Sequence, residues 1–230
     1  MTPGIPPRKS ARRVEPEILD NLPPDAEGVR EARRDLRRIN AIMGNHRWIR
    51  SALQRLVQPD DRVVELGAGD GSLALRARDV IRNASGSRYS ALDLAPPPHD
   101  WPGGLEFEWI QGDWRESCAR HAPDVVVANL FFHHFDDAEL RAGAAAFLAS
   151  ARVIICREPA RHRAWMRHLL LPLGLHPITR HDMAVSIRAG FLHSELPQAL
   201  GLDKNWRVRV RHTLFGAYEM TALRATGGTR

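Results

Sequence analysis

The first quarter of the chain carries two apolar stripes at helical spacing. One consists of Val29, Leu36, Ile39 and Met43, and the other of Trp48, Ile49, Leu53 and Leu56. Because side chains three and four positions apart share one face of a helix, each stripe predicts an amphipathic helix, with Gly44-Asn45 as the break between them. Residues 1–14 are rich in Pro, Gly and charge and predict a disordered tail. We therefore expect a tail and helical cap over residues 1–58.

Short apolar runs alternate with helical stretches from residue 59 onwards. The predicted strands are 62–66, 88–94, 105–110, 124–129 and 153–156, and the predicted helices are 72–81, 137–149 and 160–170. Strands that alternate with helices at this spacing form parallel sheets with helices on both faces. The pattern therefore indicates a doubly wound sheet as the centre of the molecule.

The C-terminal part of the chain departs from this alternation. Residues 206–211 and 214–223 are typical of two strands, joined by a short turn at 211–213, and predict an antiparallel pair that closes the sheet. The predicted fold class is thus α/β and Rossmann-like, with a seven-stranded, mostly parallel sheet, an antiparallel C-terminal strand pair and an N-terminal helical cap. The main domain is expected to span residues 59–230.

The chain is strongly basic, but its charge does not favour a nucleic-acid partner. The formal net charge is +6 and the pI is about 10.3, yet every basic residue except Lys9 and Lys204 is an arginine. These arginines are spread along the chain, and those at 30–38 are interleaved with acids, as on a solvated helix face. An arginine-rich face can still attract acidic ligands, so the charge alone leaves this question open.

Several classes of protein are disfavoured by what the sequence lacks. No apolar stretch is long enough to span a membrane, and the first residues contain no apolar signal segment. Cys118 and Cys156 are the two cysteines, and they stand outside any metal-ligand spacing. We therefore expect a cytoplasmic protein without a bound metal.

A strand that runs into closely spaced glycines is the strongest chemical signal in the chain. Residues 63–72 read Val-Val-Glu-Leu-Gly-Ala-Gly-Asp-Gly-Ser. Glycines let the backbone come into contact with a ligand, because a Cβ would clash there. Ser72 stands where the dinucleotide fingerprint has its third glycine, and Glu65 lies two residues before Gly67. Both details argue against a nicotinamide dinucleotide.

This motif and the acids that follow it resemble the class I S-adenosylmethionine-dependent methyltransferases, over roughly residues 45–170. The resemblance implies S-adenosylmethionine as the cofactor. Asp93 would accept from both ribose hydroxyls, Asp113 would accept from the adenine amino group, and Trp114 would cover the ring. Taken singly, Asp93 also fits a surface role and Trp114 a core role. The implied cofactor contacts are Arg47, Glu65, Gly67, Gly69, Asp70, Asp93, Leu94, Asp113, Trp114 and Asn129.

The segment after the fourth predicted strand distinguishes between acceptor classes. Residues 129–137 read Asn-Leu-Phe-Phe-His-His-Phe-Asp-Asp and lack the proline found in this segment of nucleic-acid adenine methyltransferases. The segment instead resembles methyltransferases of phenols and quinols. That resemblance implies His133 as the general base, with His134 as the second candidate and Phe132 as an acceptor contact. Each histidine alone also fits a structural role at the start of a helix.

A histidine suits this chemistry because a phenol, with a pKa of about 10, is mostly protonated at neutral pH. An imidazole with an ordinary pKa of about 6.5 can accept that proton as the oxygen attacks a methyl group. Residues 171–204 lie where this family places elements that cover the substrate. In them Arg180, His181 and Arg188 are candidates for orienting a phenol or an acidic group.

The predicted activity is methyl transfer from S-adenosylmethionine to a phenolic or quinol oxygen of a small aromatic. Residues 171–204, together with Arg157-Glu158-Pro159 and the Arg-Arg-Ile-Asn sequence at 37–40, resemble small methyltransferases that are found beside type III polyketide synthases. Those enzymes modify alkylresorcinols and quinols. Carbon methylation of the same ring, RNA methylation, a non-catalytic binding protein and an NAD-linked oxidoreductase stay open as alternatives. The identity of the acceptor and the formation of a homo-oligomer are left open as well.

Overall fold

The computed structural model describes residues 11–23, 26–104, 106–163 and 174–225. Its N-terminal part consists of α1 (Ile18–Asn21), α2 (Val29–Met43) and α3 (Asn45–Leu56). Gly44 separates α2 from α3 with a φ of 68°, a left-handed conformation that glycine adopts without steric cost. The predicted break therefore lies at the expected place.

A single seven-stranded sheet forms the centre of the described chain. Its strands are β1 (Arg62–Leu66), β2 (Arg88–Asp93), β3 (Phe107–Gln111), β4 (Val125–Asn129), β5 (Val153–Pro159), β6 (Trp206–His212) and β7 (Ala217–Arg224). They lie in the order β3-β2-β1-β4-β5-β7-β6, with β1 to β5 parallel and β7 antiparallel to both of its neighbours. This arrangement confirms the predicted fold class. The strand order reverses between β1 and β4, and open α/β sheets bind ligands beyond the carboxyl ends of the strands at such a point.

Helices cover both faces of the sheet. The remaining helices are α4 (Ser72–Asn83), α5 (Trp114–His121), α6 (Asp137–Leu148), α7 (Pro177–Ala189) and α8 (Glu195–Leu200), with short 3-10 turns at Phe132–His134 and Arg161–Arg163. Side chains of α5, α6 and α8 form one buried core with the sheet, and those of α3 and α4 form the other. Ile49 and Leu53 bring α3 fully into the second core, so this helix of the cap is also a layer of the main domain.

Two boundaries differ from the sequence predictions, and the helix between β3 and β4 was not predicted. Strand β5 continues through Arg157-Glu158-Pro159, because the buried guanidinium of Arg157 is neutralised by Glu219 of β7 at 2.8 Å. The turn between the last two strands lies at 213–216, so Leu214 and Phe215 are exposed in the turn and do not belong to a strand. Helix α5 was not predicted, since its short sequence carries only a weak apolar stripe.

Two further predictions concern the N-terminal tail and the helix expected after β5. Residues 11–14, assigned to a disordered tail, lie against α7, and the amide of Arg13 donates to the carbonyl oxygen of Arg188 at 3.3 Å. The predicted helix over 160–170 falls mostly outside the described residues, which give Ala160 as a bridge to Phe191 followed by a 3-10 turn. No helix in the described part of the chain is both long and apolar enough to cross a membrane.

Candidate functional site

The glycine-rich segment turns sharply between β1 and α4. Gly67 and Gly69 have φ values of 67° and 59°, in the left-handed region that favours glycine. A Cβ on Gly67 would overlap the ring of Phe131, whereas a Cβ on Gly69 would meet no atom within 4 Å. The backbone of Gly69 therefore borders open space, and a ligand can approach it closely.

Asp93 at the end of β2 holds this segment in place. One of its carboxylate oxygens accepts from the amide of Gly69 at 2.8 Å, and the other accepts from the amide of Ala95 at 2.9 Å. Each oxygen has a second lone pair, and the side chain is partly exposed. Asp93 can thus support the glycine turn and still accept from two hydroxyls of a bound diol.

Glu65 lies beneath the turn and not on its surface. Its side chain is buried, 2% exposed, and accepts from the hydroxyl of Tyr89 at 2.8 Å. Burial raises the pKa of Glu65 to about 8, with the negative charges of Asp70 and Asp93 adding to the rise and the Tyr89 hydrogen bond opposing it. The hydrogen bond of Glu65 therefore joins β1 to β2 inside the sheet.

Three asparagines join the cap to the end of β4. The Asn40 side-chain oxygen accepts from the amide groups of Asn45 at 2.7 Å and Asn129 at 3.3 Å. The Oδ1 atoms of Asn45 and Asn129 are buried and accept no hydrogen bond from any described residue. Buried polar atoms are nearly always paired in native proteins. These two oxygens are therefore suited to accept from an amino group of a bound ligand.

The other predicted cofactor contacts lie in several different surroundings. Asp70 accepts from the amide of Ser72 and pairs with Arg37 of α2 at 3.4 Å, which links the cap to the glycine turn. Leu94 is exposed beside Asp93, and Arg47 is exposed on α3. Asp113 caps α5 by accepting from the amide of Arg115 at 2.7 Å.

Trp114 belongs to the core of the described structure. Its ring is buried against Phe131, Phe132, Phe135 and Phe147, and a Cβ on Gly143 would overlap it. Phe132 is fully buried in the same cluster. The expectations that Trp114 covers a cofactor ring and that Phe132 contacts an acceptor therefore differ from where the structure places these side chains.

His133 is held between two carboxylates after β4. Its side chain is 3% exposed, with Nδ1 at 2.8 Å from Glu158 and Nε2 at 3.3 Å from Glu17. The turn before it places Leu130 at a φ of 55°, an uncommon value for a residue other than glycine. That turn directs the amides of Phe131 and Phe132 to one oxygen of Glu158, at 3.0 and 2.9 Å. Glu158 is therefore a fixed acceptor for the ring.

The two carboxylates control the protonation of the imidazole. Burial alone would lower the pKa of His133, but the hydrogen bonds and charges of Glu158 and Glu17 outweigh it and raise the pKa to about 9. The pKa of Glu17 is lowered, because the hydrogen bond and charge of His133 outweigh the effect of burial. The raised pKa favours the imidazolium form of His133, in which each ring nitrogen donates to one of the two carboxylates.

Glu17 reaches His133 because residues 11–21, which we call the N-terminal strap, lie across α7. The amides of Ile18 and Leu19 donate to the carboxylate of Asp182 at 2.8 and 2.9 Å. Glu17 also accepts from the hydroxyl of Ser186. The strap is therefore attached to α7 by polar contacts of buried groups.

A second set of contacts holds the start of the strap. Arg12, whose side chain is 8% exposed, pairs with Asp137 at 2.8 Å and donates to the carbonyl oxygen of Phe135 at 2.6 Å. Glu15 pairs with Arg188 at 2.8 Å. The strap thus covers the side of the His133 ring that carries Nε2.

The remaining predicted acceptor residues surround the strap. His134 pairs with Asp20 of the strap at 3.2 Å and is partly exposed, whereas Arg188 is engaged by Glu15. His181 pairs with its neighbour Asp182 at 2.9 Å, and Arg180 is exposed on α7. The structure therefore brings His133, His134 and Arg188 together under the strap and leaves Arg180 outside.

Glu17, His133 and His134 form the only described group with the composition of a metal site. Their ligand atoms lie within 4.8 Å of one another. Each of the three side chains already has a hydrogen-bonding partner in the protein. The group is better described as an ion-pair network.

Solved structures show which proteins share this architecture. The plantazolicin methyltransferase BpumL in complex with SAH is 10% identical and covers 88% of this chain and 92% of its own, with a TM-score of 0.65. The plantazolicin methyltransferase BamL, with SAH and a triazolic desmethylPZN analog, is 11% identical and covers 90% and 93%, with a TM-score of 0.62. A possible exported protein from Bordetella parapertussis is 17% identical and covers 80% and 68%, with a TM-score of 0.57.

The chain shares its fold with these two methyltransferases. No protein-family model and no curated protein sequence matches it. At these identities the likeness concerns the fold alone. In this fold the glycine turn and Asp93 lie at the ends of β1 and β2, and the His133 network lies at the ends of β4 and β5, so both are at the carboxyl edge of the sheet.

Sequence reasoning missed several residues of this edge. Glu17, Asn40 and Asn45 all come from the cap, and the sequence assigned none of them a role in the site. Asn40 stood only in the quoted sequence at 37–40, and Asn45 only at the predicted helix break. Glu158 stood in the quoted Arg157-Glu158-Pro159 segment, but was expected to follow a strand rather than lie in one. A buried acid at the end of a central strand was the one signal that could have identified it.

Proposed function

We propose that this protein transfers the methyl group of S-adenosylmethionine to a phenolic or quinol oxygen of a small aromatic acceptor. The observation that carries the proposal is His133, a buried histidine at the carboxyl edge with Nδ1 fixed by Glu158 and Nε2 directed to Glu17 of the strap. This arrangement suits a general base, because the second nitrogen points away from the residue that orients the ring.

The residues beyond β1, β2 and β4 fit the proposed cofactor. Gly69 offers backbone without an obstructing Cβ, Asp93 offers carboxylate oxygens for a ribose diol, and the unpaired Oδ1 atoms of Asn45 and Asn129 offer acceptors for an amino group. When bound, S-adenosylmethionine supplies a methyl group on a positively charged sulfur. The chain would hold it with its own backbone and carboxylates, without a metal ligand.

The acceptor is proposed to take the place that Glu17 occupies at Nε2 of His133. Glu17 comes from the strap, whereas Glu158 belongs to the central sheet and is fixed by two backbone amides. Glu17 is therefore the partner that can leave. Because its departure removes one of the two carboxylates that raise the pKa of His133, the imidazole then releases its proton more readily.

The proton transfer follows from this exchange. With Glu158 accepting from Nδ1–H, the neutral ring carries its lone pair on Nε2. As the acceptor oxygen bonded to the methyl carbon, the bond from that carbon to sulfur would break and leave its electron pair on sulfur. The proton of the breaking O–H bond would pass to Nε2 of His133. General-base assistance of this kind contributes typically about 10²–10⁴ in rate.

The test is to incubate the purified chain with methyl-labelled S-adenosylmethionine and separate acceptors: simple phenols, quinols, alkylresorcinols, tRNA and rRNA. We expect label in a phenolic or quinol ether, identified by mass spectrometry. Label on a ring carbon would show that the protein methylates carbon and not oxygen. Label in RNA at a rate equal to that of the best phenol, or no transfer to any acceptor despite cofactor binding, would refute the proposal.

A further inference from the structure

We infer that the turn between β6 and β7, together with the arginines of β6, docks on the surface of a membrane that contains anionic lipids. We call this surface the β6–β7 hairpin surface and define it as Arg207, Arg209, Arg211, Leu214 and Phe215. Two features carry the inference: exposed apolar side chains at the tip of a hairpin, and a row of positive charge beside them.

The apolar part of the surface is the turn at 213–216. Leu214 is 75% exposed and Phe215 is 56% exposed, which makes them two of the three most exposed large apolar residues in the described chain. They are adjacent, whereas other exposed apolar residues stand singly. A folded domain gains nothing by exposing two such side chains at a tip, and contiguous exposed apolar residues mark interaction sites.

The charged part is the edge strand of the sheet. Arg207, Arg209 and Arg211 alternate along β6 and are all exposed, so they lie on one face about 7 Å apart. Arg211 pairs with Glu219 at 3.4 Å, while Arg207 and Arg209 form no ion pair with any described residue. An anionic lipid surface would provide the missing countercharge, and arginines attract such surfaces.

The tip lies at the same edge of the sheet as the candidate site. Ala217 is opposite Pro159, and the amide of Ala160 donates to the carbonyl oxygen of Gly216 at 2.8 Å. Glu158, which orients His133, is paired with Tyr218 of β7. A hairpin inserted into the headgroup region would therefore bring the carboxyl edge close to the bilayer, where an amphipathic acceptor partitions.

A second copy of the chain fits the surface less well. Antiparallel pairing of two β6 edges would place arginines of one strand opposite arginines of the other, and like charges directly opposite destabilise a pair of strands. A nucleic acid would use the arginines but would gain little from Leu214, which has no ring to stack on a base. The combination of aliphatic, aromatic and arginine side chains favours lipid.

The experiment is vesicle co-sedimentation of the full chain. Phosphatidylglycerol vesicles are expected to bind the protein and phosphatidylcholine vesicles to bind it at least about tenfold more weakly, since the arginines need an anionic surface. Binding should weaken as salt rises. The variants Leu214→Ser/Phe215→Ser and Arg207→Gln/Arg209→Gln should each lower affinity for phosphatidylglycerol vesicles by about tenfold or more.

Matched controls separate this surface from the overall basic charge. Arg33→Gln/Arg34→Gln makes the same charge change on the exposed face of α2, and Leu75→Ser removes an exposed apolar residue of α4. Both should stay within about twofold of the native chain, because the headgroup field decays within a Debye length. An equal loss in the α2 variant and the β6 variant would overturn the inference.

Three other outcomes would also overturn it. The first is native vesicle binding by Leu214→Ser/Phe215→Ser together with a lowered melting temperature, which would show that the tip packs within its own chain. The second is tighter binding to an RNA duplex than to vesicles, with a loss only in the arginine variant. The third is concentration-dependent dimerisation lost in the hairpin variants. Vesicle binding is measured without methyl transfer, so its failure leaves the proposed function untouched.

Discussion

The two halves of the carboxyl edge are built in different ways. Beyond β1 and β2, the structure presents backbone: Gly69 borders open space, and Asp93 accepts from two amides close to it. Beyond β4 and β5, it presents buried side chains, with His133 between Glu17 and Glu158. The first half is a rigid surface suited to a large ligand, and the second is a charged network suited to moving a proton.

The difference also concerns which parts can move. Asp93 and the glycine turn belong to the central sheet and its loops, whereas Glu17 belongs to the strap and is held by side chains of α7. Cofactor binding should therefore need no displacement of the strap, while acceptor binding at Nε2 should need it. Variants on the two sides should accordingly affect different measurements.

The largest expected effect is on catalysis. In His133→Gln the amide can still donate to a carboxylate but cannot act as a base, so kcat for a phenolic acceptor should fall by about two to four orders of magnitude. Cofactor affinity, measured by calorimetry, should stay nearly unchanged. His134→Gln is the matched control and should have a mild effect. A phenol acidic enough to be ionised should partly restore the activity of His133→Gln. A near-normal kcat of that variant with the first phenolic acceptor would show that the base lies elsewhere.

The next largest effect is on cofactor affinity. Asp93→Ala removes the acceptor for the Gly69 and Ala95 amides and for a ribose diol, so S-adenosylmethionine should bind about 100-fold more weakly or worse. Calorimetry with S-adenosylmethionine measures this directly. The exposed Asp100, on the same loop, provides the control Asp100→Ala, which should bind normally. Equal affinity in both variants would place the ribose site elsewhere.

A smaller effect, of about 1–3 kcal/mol, is expected on stability when Glu17→Gln removes a buried charged partner of His133. The native pKa of His133, raised to about 9, adds stability that is complete below about pH 6.5 and is lost as the pH rises through 9. The native pKa of Glu17 is lowered, so its contribution is lost below about pH 4.5.

Urea denaturation of the native chain and of Glu17→Gln at several pH values tests the direction of this pH dependence. The stability difference should be largest between about pH 5 and 6.5 and should shrink by pH 10, because the neutral imidazole no longer forms an ion pair. Other titrating groups cancel in the difference. A difference that is the same at pH 6 and pH 10 would contradict the ion-pair network.

The smallest effect is expected for a residue that lies outside both halves. Arg180 is exposed on α7, whereas Arg188 on the same helix pairs with Glu15 of the strap. Arg180→Gln should leave kcat, KM and melting temperature unchanged, since exposed charges contribute little. Arg188→Gln should loosen the strap and change KM for the acceptor. If Arg180→Gln raised KM instead, the acceptor would reach farther along α7 than the strap indicates.

The sequence by itself determined most of the fold and the half of the site that is local. Apolar runs of fixed period predicted the parallel strands, and the glycines of 67–71 predicted a close backbone approach, because both depend on neighbouring residues. Asp93 could be placed because it ends the next strand, only 24 positions from Gly69. A pattern in the sequence predicts a contact when the residues that form the contact are close along the chain.

Only the tertiary structure decided the chemistry of the other half. His133 was identified as a candidate from its segment, but its partners lie 25 and 116 positions away, in β5 and in the strap. Trp114 became a core residue because aromatic side chains of two other segments, the one after β4 and α6, surround it. The pKa of a buried group depends on which charges the fold brings within a few ångströms, and no local pattern carries that information.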